Sequence, residues 1–271
     1  MILAGGICIG FAPIGLRLGL SDLGPQAIAF WRYAFAIPCI FLLTVLAGRR
    51  LPARPNKFVL LAGIFFACDV AFWHWGLEIT TVANATFIVN LGNIMVGFVA
   101  WIILKERPAP IWFLAIILAI LGAAALSLGG GEGSKGDLRG DGLAFMAAIM
   151  ITGYVLFSKI ARETLGGLET IFWLTCVELV TASLWVYFSG ENFLPESLEG
   201  LKAPLFLAII VQTAGQGLII TGLGRTPVSI AGVLIIIQPV VAAIIAWHLF
   251  DEPLTRFQFM GAGLILSLIH I

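Results

Sequence analysis

Apolar runs of about twenty residues follow one another along the whole chain, separated only by short clusters of Gly, Pro and charge. That is the length a helix needs to cross a hydrocarbon core roughly 30 Å thick. Breaking the sequence at the clusters predicts ten membrane helices, at residues 2–20, 25–47, 57–77, 81–104, 110–129, 141–161, 167–189, 203–223, 227–250 and 255–271. The expected fold class is therefore all-α, a polytopic membrane protein with ten transmembrane helices. Composition agrees. Of 271 residues, 60% are hydrophobic and 11% charged, where a soluble domain has about a quarter charged.

The same pattern excludes several functions. The connections are too short to hold a soluble catalytic domain, and no secretory signal peptide with a basic start and small-residue cleavage site is expected from the opening residues. The formal net charge is zero, so no nucleic-acid or other strongly charged partner is implied. Cys8, Cys39, Cys68 and Cys176 each lie inside an apolar run, with no CxxC or Cys/His cluster. They read as free cysteines rather than disulfides, and no metal or cofactor is expected. Both ends stop in apolar sequence without flanking charges, the expectation if short pieces of the natural chain lie beyond them.

Orientation follows from the basic residues of the loops. Arg49, Arg50, Arg54, Lys57, Lys105, Arg107, Lys159, Arg162 and Arg225 fall on one side, and Arg17, Lys135, Arg139, Lys202 and Arg256 on the other. The richer side is expected to be cytoplasmic, which puts both termini there. The halves also match each other. A shift of 146 residues places Leu77 on Leu223, Val82 on Val228, Trp101 on Trp247 and Glu106 on Glu252, so WIILKERP and WHLFDEPL end equivalent helices. A shift of 142 places Phe30 and Trp31 on Phe172 and Trp173. The expected division is a first repeat at 1–129, a linker at 130–140 in the Gly-rich GGGEGSKGDLRGD stretch, and a second repeat at 141–271. Five helices is an odd number, so the second copy runs upside down, and inverted repeats place a substrate site near midplane where they meet.

With PQAIAFWRYAFA (Pro25 to Ala36) carrying an Arg in the second helix, and with the KERP and DEPL helix ends, the chain resembles the ten-helix, two-repeat EamA type of the drug/metabolite transporter superfamily. The FWHW stretch and the many aromatic residues are similar to those of bacterial aromatic amino acid exporters. The resemblance implies a bacterial inner-membrane protein that exports amino acids or related small metabolites through a central cavity by alternating access. Arg32 meets Leu174 in the second half, so any role of that Arg is not duplicated.

Polar side chains inside the spans carry what more the sequence says. An ionisable group there is costly unless it is paired or faces water, although Asn, Gln, Ser and Thr also hold helices together. In the third helix, Asp69 shares a face with Phe66, Trp73 and Gly76, and His74 points about 140° away. The two form no catalytic dyad. His74 is expected at the cavity or a gate. Asp69 and Arg32 come to nearly the same depth on consecutive helices and are expected to pair. Glu178 is a third buried charge, for coupling or structure. In the fourth helix Thr86, Asn90, Asn93, Gly97 and Trp101 form one stripe, opposite Val82, Val89, Val96 and Ile103. A water-filled cavity would satisfy both amides, and Trp101 would pack on an apolar part of a substrate. Tyr154, Gln212, Gln216 and Gln238 complete the expected substrate site. Gln238 precedes Pro239, where a missing backbone bond frees a carbonyl, and Pro13 could do the same in the first helix. Two rival functions remain at this stage. An intramembrane enzyme finds no HExxH, GxSxG or paired-aspartate motif, and an exporter of cationic drugs finds no acid in the first helix.

Overall fold

The computed structural model describes residues 1–49, 54–80, 82–128, 137–250 and 254–267. Those residues form ten helices. The first, α1 (Ile2–Gly19), is split into Ile2–Ile9 and Ala12–Gly19. It is followed by α2 (Pro25–Leu46), α3 (Lys57–Ile79), α4 (Val82–Ile103) and α5 (Pro110–Leu128). The second half holds α6 (Leu138–Ala161), α7 (Gly167–Ser189), α8 (Leu198–Leu223), α9 (Val228–Phe250) and α10 (Arg256–Ser267). Over the residues described in full, eight of these are long and apolar enough to span a membrane; the apolar stretch of α5 is counted over Pro110–Ala125, and α10 has 12 residues. Of the predicted repeat boundaries, the linker residues 130–136 and Asp251–Pro253 of the DEPL segment lie outside the described residues.

Local sequence explains the ends. Asn56 caps α3 by accepting from the Val59 amide at 2.9 Å, and Asp137 caps α6 through the Arg139 amide at 2.7 Å. Pro25 opens α2 and Pro110 opens α5, where a missing N–H costs nothing. Gly190 ends α7 in the left-handed region, at φ 73°. Within α8, Leu207–Gln216 winds as a π-helix, a form that concentrates at functional sites.

The packing repeats itself across the two halves. α3 lies on α6 as α8 lies on α1, and α4 lies on α6 as α9 lies on α1. α2 meets its own counterpart α7, α4 meets α9, and α5 meets α10. Counterparts run antiparallel. The start of α2 sits at the end of α7, where Glu191 accepts from the Gln26 and Ala27 amides, while Phe41 near the other end packs on Phe172 at the start of α7. Likewise the end of α4 meets the start of α9, with Glu106 accepting from the Val228 amide at 2.8 Å. The second five helices thus run opposite to the first.

Small residues let the helices approach. A Cβ on Gly232 of α9 would run into the backbone carbonyl of Asn93 in α4, and one on Gly92 into Ala148 and Ile151 of α6. Outward faces carry bare apolar side chains such as Phe41, Leu42, Leu121 and Leu184, the surface a lipid tail covers. Basic residues gather at one end. Lys159 donates to the Leu223 and Thr226 carbonyls at 2.9 Å each, and Arg162 to Ile220 at 2.9 Å and to Leu165. The Ile220 and Leu223 carbonyls belong to the last turn of α8, where helix carbonyls lack partners within the helix, and those of Thr226 and Leu165 lie in the connections beyond α8 and α6. Burial there holds the Arg162 guanidinium below its ordinary pKa, with Arg225 pushing the same way and Glu169 opposing.

Candidate functional site

A cavity of about 110 Å³ lies at the centre of the bundle, lined by α1, α2, α3, α4, α6, α8 and α9. Both halves contribute. Its polar lining is Arg32, Asp69, Thr86, Asn90, Asn93, Tyr154, Gln216 and Gln238, with the indole of Trp73 beside them. Its apolar lining includes Phe66, Val70, Val89, Ile151, Val155 and Ile219.

The α4 stripe divides. Thr86, Asn90 and Asn93 line the cavity, and the Asn90 amide donates to the Thr86 carbonyl at 2.8 Å while Asn93 donates to Asn90 Oδ1 at 3.2 Å. The two amides are locked to the helix and to each other, and Asn93 Oδ1 is left buried with no partner. Gly97 packs against Trp112 of α5. Trp101 does not reach the cavity: it is 43% exposed and edge-on to Phe113. The stripe drifts because 15 residues at about 100° each bring Trp101 roughly 60° round the helix from Thr86, and about four turns along it.

On α6 and α8, Tyr154 donates its hydroxyl to Gln216 Oε1 at 2.5 Å, and both line the cavity. Gln212, four residues earlier, points elsewhere. It is fully buried, accepts from Arg32 Nε and Nη2 at 3.1 and 2.7 Å, and donates to Thr175 Oγ1 at 3.0 Å and Glu178 Oε2 at 2.6 Å. This corrects the expected pairing of Arg32 with Asp69. Depth alone suggested it, but the guanidinium is taken by the π-helical stretch of α8, whose amide bridges it to Glu178. Glu178 lies outside the cavity, and its Oε1 has no partner.

His74 is buried beside the backbone of Pro25 and is absent from the cavity wall. Its placement at the cavity is corrected: α3 turns the Phe66, Asp69, Val70 and Trp73 face inward, and His74 points to α2 instead. Asp69 Oδ1 and Trp73 Nε1 are buried without partners.

The cavity also brings together residues that polarity could not mark. Ile9, Gly10 and Pro13 of α1 and Ile235 and Pro239 of α9 line it, at the points where both helices break. Neither Pro13 nor Pro239 has an N–H, so the carbonyls of Ile9 and Ile235 lose their partners one turn on. Gly10 allows the two broken helices to touch, since a Cβ there would strike Val241. The two prolines were the available signal; that their freed carbonyls belong to cavity-lining residues needed the tertiary structure. Among the described residues, no group of His, Cys, Asp and Glu could hold a metal ion, and the four cysteines are free.

A ten-helix bundle with a central polar and apolar cavity between antiparallel halves is the architecture of a secondary transporter. The EamA-like transporter family model matches residues 1–128 and 138–269, and the chain belongs to that family. It is 28% identical to an uncharacterized transporter of Archaeoglobus fulgidus, covering 97% of this chain and 93% of that one. It is 27% identical to the uncharacterized transporter YwfM of Bacillus subtilis, over 83% of this chain and 76% of the relative. A protein of Escherichia coli named "Probable amino-acid metabolite efflux pump" is 25% identical, over 94% and 88%. A crystal structure shares the fold, with a TM-score of 0.83 and 16% identity over 98% of this chain and 93% of that one.

Proposed function

We propose that this membrane transporter exports amino acids, aromatic ones among them, and related small metabolites across a bacterial inner membrane by alternating access. The observation that carries the reading is the central cavity, where amides, two hydroxyls, an acid and a guanidinium meet Phe66, Trp73 and aliphatic walls. Such a lining suits a polar head with an apolar side chain. The likeness to the Escherichia coli efflux pump supports the same substrate class. In this reading the repeats are 1–129 and 141–271, joined by 130–140. Both termini are cytoplasmic, with the end that carries Lys159 and Arg162 facing in. The two repeats rock about the cavity. A cationic-drug exporter of the same fold is less favoured, because Arg32 stands in the wall.

Uptake of a panel of labelled amino acids by proteoliposomes, with and without a pH gradient, tests this. Saturable movement of phenylalanine, tyrosine or leucine supports it, and the gradient's effect distinguishes proton exchange from facilitated diffusion. Movement of hydrophobic cations with no amino acid carried would replace it with the drug-exporter reading.

A further inference from the structure

Besides the carbonyls freed at Ile9 and Ile235, four side-chain atoms of cavity-lining residues stand without a protein partner and bear on charge recognition. Two are donors. Arg32 spends Nε and Nη2 on Gln212, which leaves Nη1, and Trp73 Nε1 is buried and unpartnered. Two are acceptors, the buried oxygens Asp69 Oδ1 and Asn93 Oδ1. All four residues line one cavity, and Asp69 and Asn93 are 6% and 7% exposed. Buried polar groups are normally hydrogen-bonded, so such a set marks where a ligand's own groups belong.

These side-chain atoms are of both kinds, and the freed carbonyls add further acceptors. A carboxylate needs donors and an ammonium needs acceptors. A bound cation would leave Arg32 and Trp73 unsatisfied, and a bound anion would leave Asp69 and Asn93 so. A zwitterion satisfies all four. We propose that Arg32 and Asp69 form a two-ended clamp for an α-amino acid, with Arg32 and Trp73 taking its carboxylate and Asp69 and Asn93 taking its ammonium. The assignment rests on the amino-acid reading above and sharpens it, because the clamp rejects molecules that lack either charge.

Gln212 has a consequent part as a positioning residue. Its Oε1 takes two of the guanidinium's donors, fixing the plane of Arg32 so that Nη1 remains for the ligand. Glu178 and Thr175 hold that amide in turn. Asp69 has no such tether to lose at Oδ1, which makes it the cleaner residue to alter.

Calorimetric binding to the purified full chain in detergent decides the proposal. The probes are phenylalanine, 3-phenylpropanoate and phenethylamine, then leucine, 4-methylpentanoate and 3-methylbutylamine. Each analogue removes one charge and keeps the side chain. The wild type is expected to bind each amino acid about tenfold to 100-fold tighter than both of its analogues, the scale of a lost charge-assisted hydrogen bond. Asp69→Asn should weaken the amino acids about tenfold and leave the two carboxylic acids unchanged. Should that variant fail to fold, the wild-type series still decides. If the amino acids bind and either analogue binds equally well, the clamp is overturned and the transport reading stands. If the amino acids do not bind at all, both fall.

Discussion

Gln212 shows how one side chain organises charges that the bilayer would otherwise expel. It accepts from Arg32 and donates to Thr175 and Glu178 with no exposed surface. Replacing it with Leu leaves a guanidinium and a carboxyl short of partners, each costing about 1–3 kcal/mol or more. Gln212→Leu should therefore lower the melting temperature in detergent far more than Gln238→Leu, whose side chain lines the cavity and can meet water. Equal effects would show that the Gln212 bridge contributes nothing to stability. Trp101→Ala should leave the ranking of aromatic over small substrates unchanged, since Trp101 sits outside the cavity; a selective loss of aromatic transport would put that side chain in the path. Sequence periodicity placed Thr86, Asn90 and Asn93 on one face of α4, because an amphipathic pattern survives inside a membrane helix. It misjudged His74 and Arg32, because which neighbour a polar group meets is decided by tertiary packing that hydropathy does not encode.

At the scale of the element, close approach governs the contacts between counterpart helices. Gly232→Ala would place a methyl group against the Asn93 backbone carbonyl, and a backbone atom cannot swing aside as a side-chain end can. It should push α9 from α4, lower the melting temperature by several degrees and reduce transport. Gly217→Ala in α8 meets nothing within 4 Å and should be neutral or slightly stabilising, by about 0.5–1 kcal/mol from helix propensity. A Gly232 variant as stable and active as the Gly217 variant would contradict tight α4–α9 packing. The ten helices were legible because length and apolarity alone define a span. The breaks after Ile9 and Ile235 were not, since a proline signals a lost hydrogen bond without saying whether the helix kinks, frays or divides. The π-helical stretch of α8 left no sequence mark at all, and it is this stretch that carries Gln212 and Gln216.

Across the whole molecule, the antiparallel fit of counterpart helices puts the start of one helix beside the end of its counterpart, the inverted pairing a rocking transporter needs. The proposed orientation is checked by labelling single cysteines in a chain whose own four are replaced. One at Arg49 should react only from the cytoplasm and one at Asn192, in the loop after α7, only from outside; the reverse pattern would invert the assignment. The repeat was visible in sequence as the Trp-x4-Glu match of α4 and α9, yet the cavity it encloses was not, because much of its wall is ordinary Ile, Val, Phe, Ala, Gly and Pro. The most direct measurement is counterflow of labelled phenylalanine into proteoliposomes preloaded with the unlabelled amino acid, run on the wild type and on Asn93→Leu. The wild type should accumulate label transiently, and the variant should not, although it melts within a few degrees of the wild type. Equal accumulation by both, or none by the wild type for any amino acid tried, would contradict a central amino-acid site.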